Sequence, residues 1–324
     1  MFSVVITSYN KEKYIARTVH SVLAQTYSNF ELIVVDDGSI DSSVSVLSNI
    51  VDHRLNLIFQ NNSGPGPARN TGIKASSGDW IAFLDGDDFW APSHLTELSN
   101  ISHKFPETRL VATKSVECPS NDFPALQLQY PHIRKIDYFK EASRRPSIIH
   151  SSSVAIHRST FHAIGYFSDF PQGEDTEFWA RCCLVFPCAV SNLPSSFYCR
   201  GTGGIMEQKW LANHSSRKHF VTTADLGPSV DYLLTILEKD TVRRVLRNSI
   251  IQYINSRVTI LLKTNLFSGN TVPLPQVASM YLSPISPYHR FWKFFATLPS
   301  PILTLSYTIR ALLRVLYRNS YLPK

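Results

Sequence analysis

Between Ile81 and Asp88 a run of strand-forming residues, Ile81-Ala82-Phe83-Leu84, ends abruptly in Asp85-Gly86-Asp87-Asp88. This junction constrains the chain more than any other stretch, because three carboxylates so close together repel one another and call for a counter-cation. A strand is buried along its apolar run and surfaces at its end, and ligands of open α/β sheets collect at those carboxyl ends. Hard carboxylate oxygens favour Mg²⁺ or Mn²⁺, ions that commonly complete their shells with substrate phosphates. A solvated acidic turn is the alternative that this stretch alone leaves open.

The chain before it repeats one rhythm. Ser3 to Ile6 is a short β-rich run that stops at Thr7-Ser8-Tyr9-Asn10, and Tyr14, Ile15, Val19, Val22 and Leu23 follow at helical spacing. Glu31 to Val35 is a second strand, again ending in acids, Asp36-Asp37-Gly38-Ser39. A helix is expected from about Asp41, with Asp41 or Ser42 as N-cap. Leu55 to Phe59 is a third strand, Asn61 to Pro67 a loop rich in Gly, Pro and Asn, and a helix from about Ala68 to Ala75 leads into the acid-tipped fourth strand. Strand alternating with helix predicts a mostly parallel sheet with the strand ends on one edge. Thr7-Ser8-Tyr9, Asp36-Asp37-Gly38 and Asp85 to Asp88 then converge. Such an edge offers an aromatic face, hydrogen-bond acceptors and metal-binding carboxylates, which suits a nucleotide diphosphate. No Gly-x-Gly-x-x-Gly or Walker-type loop is present, so metal rather than a glycine cradle is expected to hold the phosphates.

In order, the chain carries VVITSYN from Val4, SVLAQTYSNFELIVVDDGSIDSS from Ser21, GPARNTG from Gly66, GDWIAFLDGDDFW from Gly78, SSSVAIHRSTFHAIGYF from Ser151 and GEDTEFWAR from Gly173. Each piece is common alone, but the ordered set resembles the family 2 glycosyltransferases. The resemblance implies an α/β GT-A fold, Rossmann-like, with a mostly parallel central sheet flanked by helices, followed here by a C-terminal helical extension. It also implies a metal-dependent, inverting enzyme using Mn²⁺ or Mg²⁺ that moves a sugar from a nucleotide diphosphate donor, a UDP-sugar first, to a hydroxyl of a glycan or lipid-linked acceptor.

Carried across by motif position, the resemblance assigns Thr7, Tyr9 and Asp37 to the nucleotide base, with Tyr9 stacking on it. In the D-x-D motif Asp85 lies near the ribose and metal and Asp87 binds the metal. Asp88 orients the loop, supports a metal-binding neighbour from behind, or caps a helix. Arg69 approaches the diphosphate or pairs with an acid of the sheet edge. Asp175 matches the catalytic base: a carboxylate at a helix N-terminus is favoured in its ionised form and is able to take the proton of an acceptor hydroxyl. Glu174 is expected to position the acceptor and Glu177 to be an exposed first-turn acid. One departure stands out, since Thr202 occupies a position where many relatives carry a histidine that reaches the diphosphate; Arg200 is an alternative phosphate contact. The Q-x-x-R-W signature of processive members is missing at Gln208-Lys209-Trp210, which favours one transfer per encounter.

The expected organisation is a nucleotide-sugar-binding half, 1–92, an acceptor-binding and catalytic half, 93–210, and a basic helical region, 211–324. Between Ser120 and Arg145 the pattern fails, as expected for a variable insertion beside an acceptor pocket, and His132 within it reads as a surface residue. The five cysteines lack paired metal-site spacing and read as buried thiols. The first residues carry no basic leader pattern, so a cytoplasmic protein is expected.

Charge divides the chain unevenly. From Thr241 onward there are eleven Lys and Arg and no Asp or Glu, leaving 21 basic against 25 acidic residues in the remainder. The tail therefore seeks an anionic partner. Val242, Leu246, Ile250, Ile254, Val258 and Leu261 fall at helical spacing, and Phe291, Trp292, Phe294 and Phe295 precede a stripe of Ile309, Leu312, Leu313, Leu316 and Tyr317 flanked by Arg310, Arg314 and Arg318. That pattern describes an interfacial helix on an anionic membrane, peripheral on the inner face, rather than a spanning one or a nucleic-acid site; a re-entrant hairpin hinged at Pro299 and Pro301, or burial of the stripe against the protein's own body, are the alternatives the residues leave open. A non-catalytic nucleotide-sugar-binding or scaffolding protein is the rival reading, and the set Asp37, Asp85, Asp87 and Asp175 argues for catalysis.

Overall fold

The structure is a computed structural model that describes residues 1–119, 131–203, 223–239, 242, 244–267 and 274–297. The chain divides into two units, Met1–Glu207 and Gln208–Lys324.

In the first unit the strand–helix rhythm of the sequence is realised. Strand β1 (Phe2–Ser8) leads to α1 (Ile15–Leu23), β2 (Phe30–Asp36) to α2 (Ser43–Ser48), β3 (Leu55–Phe59) to α3 (Pro65–Ala75), and β4 (Trp80–Asp85) ends at the acidic tip. Then come β5 (Phe89–Trp90), α4 (His94–Lys104), β6 (Leu110–Pro119), β7 (Ile133–Ile136), α5 (Tyr138–Arg144), a 3-10 turn at Ser151–Ser153, β8 (Val154–His157), α6 (Ser159–Ile164), α7 (Glu174–Val185) and β9 (Cys188–Arg200). Among the described residues nine strands form one sheet in the order β3-β2-β1-β4-β8-β6-β9-β5, with β7 also paired to β9. β3, β2, β1 and β4 run parallel, whereas β8 is antiparallel to both β4 and β6. β6 and β9 return to parallel pairing.

The period-2 alternation of strands sends neighbours to opposite faces. Leu32 and Val34 join Ile15, Val19 and Val22 of α1, Leu47 of α2 and Leu95 and Leu98 of α4 in one core, while Ile33 and Val35 meet Ala68 of α3 on the other side. Strands covered on both faces read as continuous apolar runs, as Leu32 to Val35 does. Each such side chain, fully buried, stabilises the fold by roughly 1.5–3 kcal/mol.

Of three local expectations two change and one, the start of α2 behind Ser42, holds. Helix α3 begins at Pro65, ahead of the expected Ala68, because Gly64 (φ 90°) turns the chain and Pro65 takes the first helical position, where its missing N–H costs nothing. Helix α2 starts at Ser43, with the Asp41 carboxylate accepting from the Ser43 N–H. The segment after Ser120 is less irregular than its composition suggests: residues 120–130 lie outside the described residues, but β7 and α5 follow, with β7 held by its pairing to β9. All five cysteines are buried free thiols.

The second unit is helical, with a 3-10 turn at Thr223–Leu226 and helices α8 (Pro228–Glu238), α9 (Arg244–Phe267), α10 (Leu274–Ser279) and α11 (Pro287–Ala296). Ile250, Ile254, Val258 and Leu261 are buried along α9, as their spacing predicts. No described helix is long and apolar enough to cross a membrane. The stripe from Ile309 to Tyr317, with Arg310, Arg314 and Arg318, lies outside the described residues, as does Gln208-Lys209-Trp210.

Candidate functional site

The parallel register lays three loops side by side. Thr7 pairs with Val35 on one side and Asp85 on the other, and Ser8 pairs with Asp36. Beyond the strands the Gly86 N–H donates to the Thr7 carbonyl at 2.9 Å and the Asp37 N–H to the Ser8 carbonyl at 2.8 Å. A Cβ on Gly86 would stand 3.0 Å from the Thr7 carbonyl oxygen, so this loop approaches β1 only because its middle residue has no side chain. Thr7 is half-buried, and Tyr9, at 44% exposed, presents its ring at the edge. Asp36 turns back to accept from the Ser39 N–H and hydroxyl. Asp37 is buried and accepts from Gln60 Nε2 and the Ser63 N–H through Oδ1 and from the Gly64 N–H through Oδ2, which fastens the loop between β3 and α3 to this edge.

Behind the tip of β4, Arg69 of α3 is buried and forks between two acids. Nη1 donates to Glu174 Oε1 at 2.6 Å and Nη2 to Asp85 Oδ1 at 2.9 Å. Of the two expectations for Arg69, the described structure realises the ion pair. Burial alone would lower its affinity for the proton, but Asp85, Glu174 and Asp175 together raise it above the usual arginine range. Glu174 is pushed up by burial and by Asp175, against the pull of Arg69. Glu174 thus faces α3 through this ion pair. Asp175, next in the first turn of α7, is half-buried; its Oδ2 accepts from Ser151 Oγ at 2.8 Å and its Oδ1 from the Thr176 N–H at 2.6 Å. Glu177 corrects the expectation of an exposed acid, being 4% exposed and held by Arg181 one helical turn on and by Ser168.

Asp87 carries a different partner. Lys11 Nζ lies 2.6 Å from Asp87 Oδ2, and Thr202 Oγ1 donates to the same oxygen at 2.7 Å. Thr202 therefore directly reaches the acidic tip that follows β4. Arg17 Nη2 donates to the Asp87 carbonyl at 2.7 Å. Arg200 points elsewhere, to Glu117 at 2.7 Å. Asp88 is fully buried and accepts from Ser152 Oγ and from the Cys199 N–H, so it ties the loop to the 3-10 turn and to β9. Burial first, then Asp87 and Asp85, push its carboxyl well above the ordinary range.

The donor set suits a hard divalent cation. Asp85 engages Arg69 through Oδ1 and Asp87 engages Lys11 and Thr202 through Oδ2, so each carboxylate is committed through one oxygen among the described residues. No cluster of three or more ligating His, Cys, Asp or Glu side chains exists among those residues. Two carboxylates completed by substrate phosphates match how Mg²⁺ and Mn²⁺ are commonly held at nucleotide sites.

Sequence reasoning missed four contributors. Lys11 is one of two lysines just past Tyr9, with Lys13, and its signal is only its place after the first strand. Ser151 and Ser152 lie in a recognised motif but carry no charge to draw notice, and they serve Asp175 and Asp88 respectively. His150 packs against Tyr198 with ring centroids 4.5 Å apart, and burial lowers its proton affinity against the pull of Asp85 and Asp175. His132 is exposed, as expected.

Comparison with known proteins agrees with this geometry. The sequence model described as "Glycosyl transferase family 2" matches residues 3–164. An uncharacterised glycosyltransferase of Nostoc sp. is 42% identical over 102 residues, 31% of this chain and 32% of that protein. The Escherichia coli UDP-Glc:alpha-D-GlcNAc-diphosphoundecaprenol beta-1,3-glucosyltransferase WfaP is 41% identical over 113 residues, 34% of this chain and 43% of that protein. The chain thus matches less than half the length of these relatives. Among solved structures, S. aureus TarS 1-349 in complex with UDP-GlcNAc superposes with a TM-score of 0.56 at 16% identity, over 91% of this chain and 88% of that one. The mannosyltransferase PcManGT from Pyrobaculum calidifontis, in complex with GDP-Man and Mn²⁺, gives 0.58 at 16% identity, over 96% and 82%. At such identity these likenesses establish the fold, a mixed α/β architecture with a central, mostly parallel sheet of the GT-A type.

Proposed function

The chain belongs to glycosyl transferase family 2, and from that premise we propose that it is an inverting glycosyltransferase that moves a sugar from a nucleotide diphosphate donor to an acceptor hydroxyl. The observation that carries this reading is the bridge Asp85–Arg69–Glu174, which joins the acidic tip of β4 to the helix end that bears Asp175. Acids expected at the donor and an acid expected at the acceptor thereby share one site.

In the proposed reaction Tyr9 stacks on the base, with Thr7 and Asp37 beside it. Asp175 Oδ2, oriented by Ser151, accepts the acceptor's hydroxyl proton as its oxygen attacks the sugar's C1. The new C–O bond forms on the face opposite the departing diphosphate, so the anomeric configuration inverts. The C1–O bond breaks and its electron pair leaves with the nucleoside diphosphate. Asp87 and Asp85 would hold a Mn²⁺ or Mg²⁺ ion, which when bound would supply charge stabilisation for that leaving group. Residues 1–92 hold the donor side and 93–210 the acceptor side.

A UDP-sugar is the first donor to test, since WfaP and TarS are named with UDP-linked sugars, and the diphosphoundecaprenol in WfaP's name supports testing a lipid-linked acceptor beside a glycan one. The basic region, 211–324, is proposed to bind an anionic membrane. Helix α11 supports this: Phe291 and Phe294 are 52% and 67% exposed, beside exposed Tyr288 and Arg290. Aromatic rings and basic groups on one outward side fit an interface. The deciding experiment incubates the protein with a panel of UDP- and GDP-sugars, with Mn²⁺ or with chelator, and follows nucleoside diphosphate release and thermal stabilisation. A donor that does both only with metal supports the reading. If no nucleotide sugar raises the melting temperature or is turned over, the transferase reading falls.

A further inference from the structure

The Lys11–Asp87 pair is unusual for its place. Asp87 is the acid read above as the metal ligand, yet it already holds an ammonium at 2.6 Å, with the two side chains only 13% and 14% exposed. The same oxygen, Oδ2, also accepts from Thr202 Oγ1. A carboxylate oxygen offers two lone pairs, and both are taken. A divalent cation bound through that oxygen would stand beside the ammonium, and two cations on one acceptor atom repel strongly in a partly buried site.

Lys11 is built to move. Its backbone is fixed, since its N–H donates to Ser43 Oγ at 2.8 Å and the preceding Asn10, in the left-handed region at φ 53°, is bonded to Ser39 and Ile40. Its side chain is a four-carbon stem bearing a compact charge with three rotatable donors. Its root lies two residues from Tyr9, and Nζ sits within 3.4 Å of the Thr202 carbonyl, in the turn that follows β9. It is therefore rooted beside the expected base and reaches to the expected metal, a span that the donor's diphosphate would occupy.

We propose that Lys11 and the divalent cation are alternative counter-ions of Asp87: the ammonium neutralises the acid until metal and donor bind, and is then displaced onto the diphosphate, where it holds charge on the leaving group. This rests on the reading of Asp87 as a metal ligand, so the test separates the two.

Mn²⁺ binding to the nucleotide-free protein, read by the electron-spin signal of free Mn²⁺, is compared for wild type, Lys11→Met, Lys11→Gln, Lys11→Arg and Asp87→Asn. Calorimetry then measures UDP and GDP binding at saturating Mn²⁺. With the competing charge removed, both neutral Lys11 variants are expected to bind Mn²⁺ about fivefold or more tighter, and the nucleoside diphosphate about tenfold weaker, while Lys11→Arg stays near wild type. A merely structural ion pair would lower the melting temperature and leave both affinities alone. Unchanged or weaker Mn²⁺ binding in Lys11→Met and Lys11→Gln, or unchanged diphosphate binding, overturns the proposal. If Asp87→Asn binds Mn²⁺ as wild type does, it is the metal assignment of Asp87 that fails, whatever Lys11 does.

Discussion

Arg69 and Glu174, 105 residues apart in the chain, form a buried ion pair with Nη1 2.6 Å from Oε1, and the other arm of the same guanidinium holds Asp85. Removing one member of a buried charge set strands the others. Arg69→Met is therefore expected to cost ~3–5 kcal/mol of folding stability. Arg69→Lys keeps the charge and loses the fork, so it should cost less. Urea unfolding at neutral pH measures both. A loss under about 1 kcal/mol for Arg69→Met would mean that the pair behaves as a solvated surface bridge.

Asp175→Asn should abolish transfer while leaving donor affinity nearly unchanged, because the proposed base meets the acceptor hydroxyl and not the nucleotide. A fall in turnover of ~10²–10⁴ is expected. Ser151→Ala, which removes the hydroxyl donating to Asp175 Oδ2, should give a smaller loss in the same direction. Turnover and donor titration on one preparation decide the matter. An Asp175→Asn enzyme that keeps more than about a tenth of wild-type turnover is not missing its base.

His94 predicts a pH dependence of stability. It is fully buried against Trp90, Nδ1 lies 2.9 Å from Ser195 Oγ, and burial holds its pKa down to about 3. The folded state thus keeps His94 neutral where the unfolded chain, near the usual value of about 6.5, takes up a proton. Its contribution is present above that value and is lost as pH falls from about 6.5 toward 3, at up to ~1.4 kcal/mol per pH unit. The difference in unfolding free energy between wild type and His94→Gln, measured from pH 7.5 down to 4.5, should shrink in that window. A constant difference would show that His94 takes up its proton without unfolding.

Phe291→Ser combined with Phe294→Ser should weaken binding to vesicles of anionic lipid, since these rings are the outward apolar surface of α11. Adding Arg290→Glu should lower it further, by on the order of 1 kcal/mol for the lost cation. Salt should weaken the charge component over a Debye length of ~8 Å at physiological strength and spare the apolar one. Sedimentation with neutral and anionic vesicles resolves the two. Equal binding of wild type and triple variant would return this helix face to a role unrelated to lipid.

Much of this protein is local information and was legible in the residues. The strand runs, the helical spacing of Ile15, Val19 and Val22, and the acid tips at Asp36 and Asp85 follow from periodicity and from where a buried run must surface. The ordered motifs identified Asp85, Asp87, Glu174 and Asp175 as the residues to watch. Partnership is a different matter, because a charge's environment is supplied by elements far away in the chain. Asp88 reads as another acid in a loop, and only its enclosure by Ser152 and Cys199 makes it a buried anchor. Glu177 has the spacing of a solvated first-turn acid, but Arg181 and Ser168 cover it. Lys11 has no periodic signature at all, and it acquires a role because parallel register brings the end of β1 beside the end of β4. Sequence spacing determines which face a side chain leaves from. What it meets there, and whether water or a counter-ion neutralises it, was decided by the packing of strands and loops that the chain's order keeps apart.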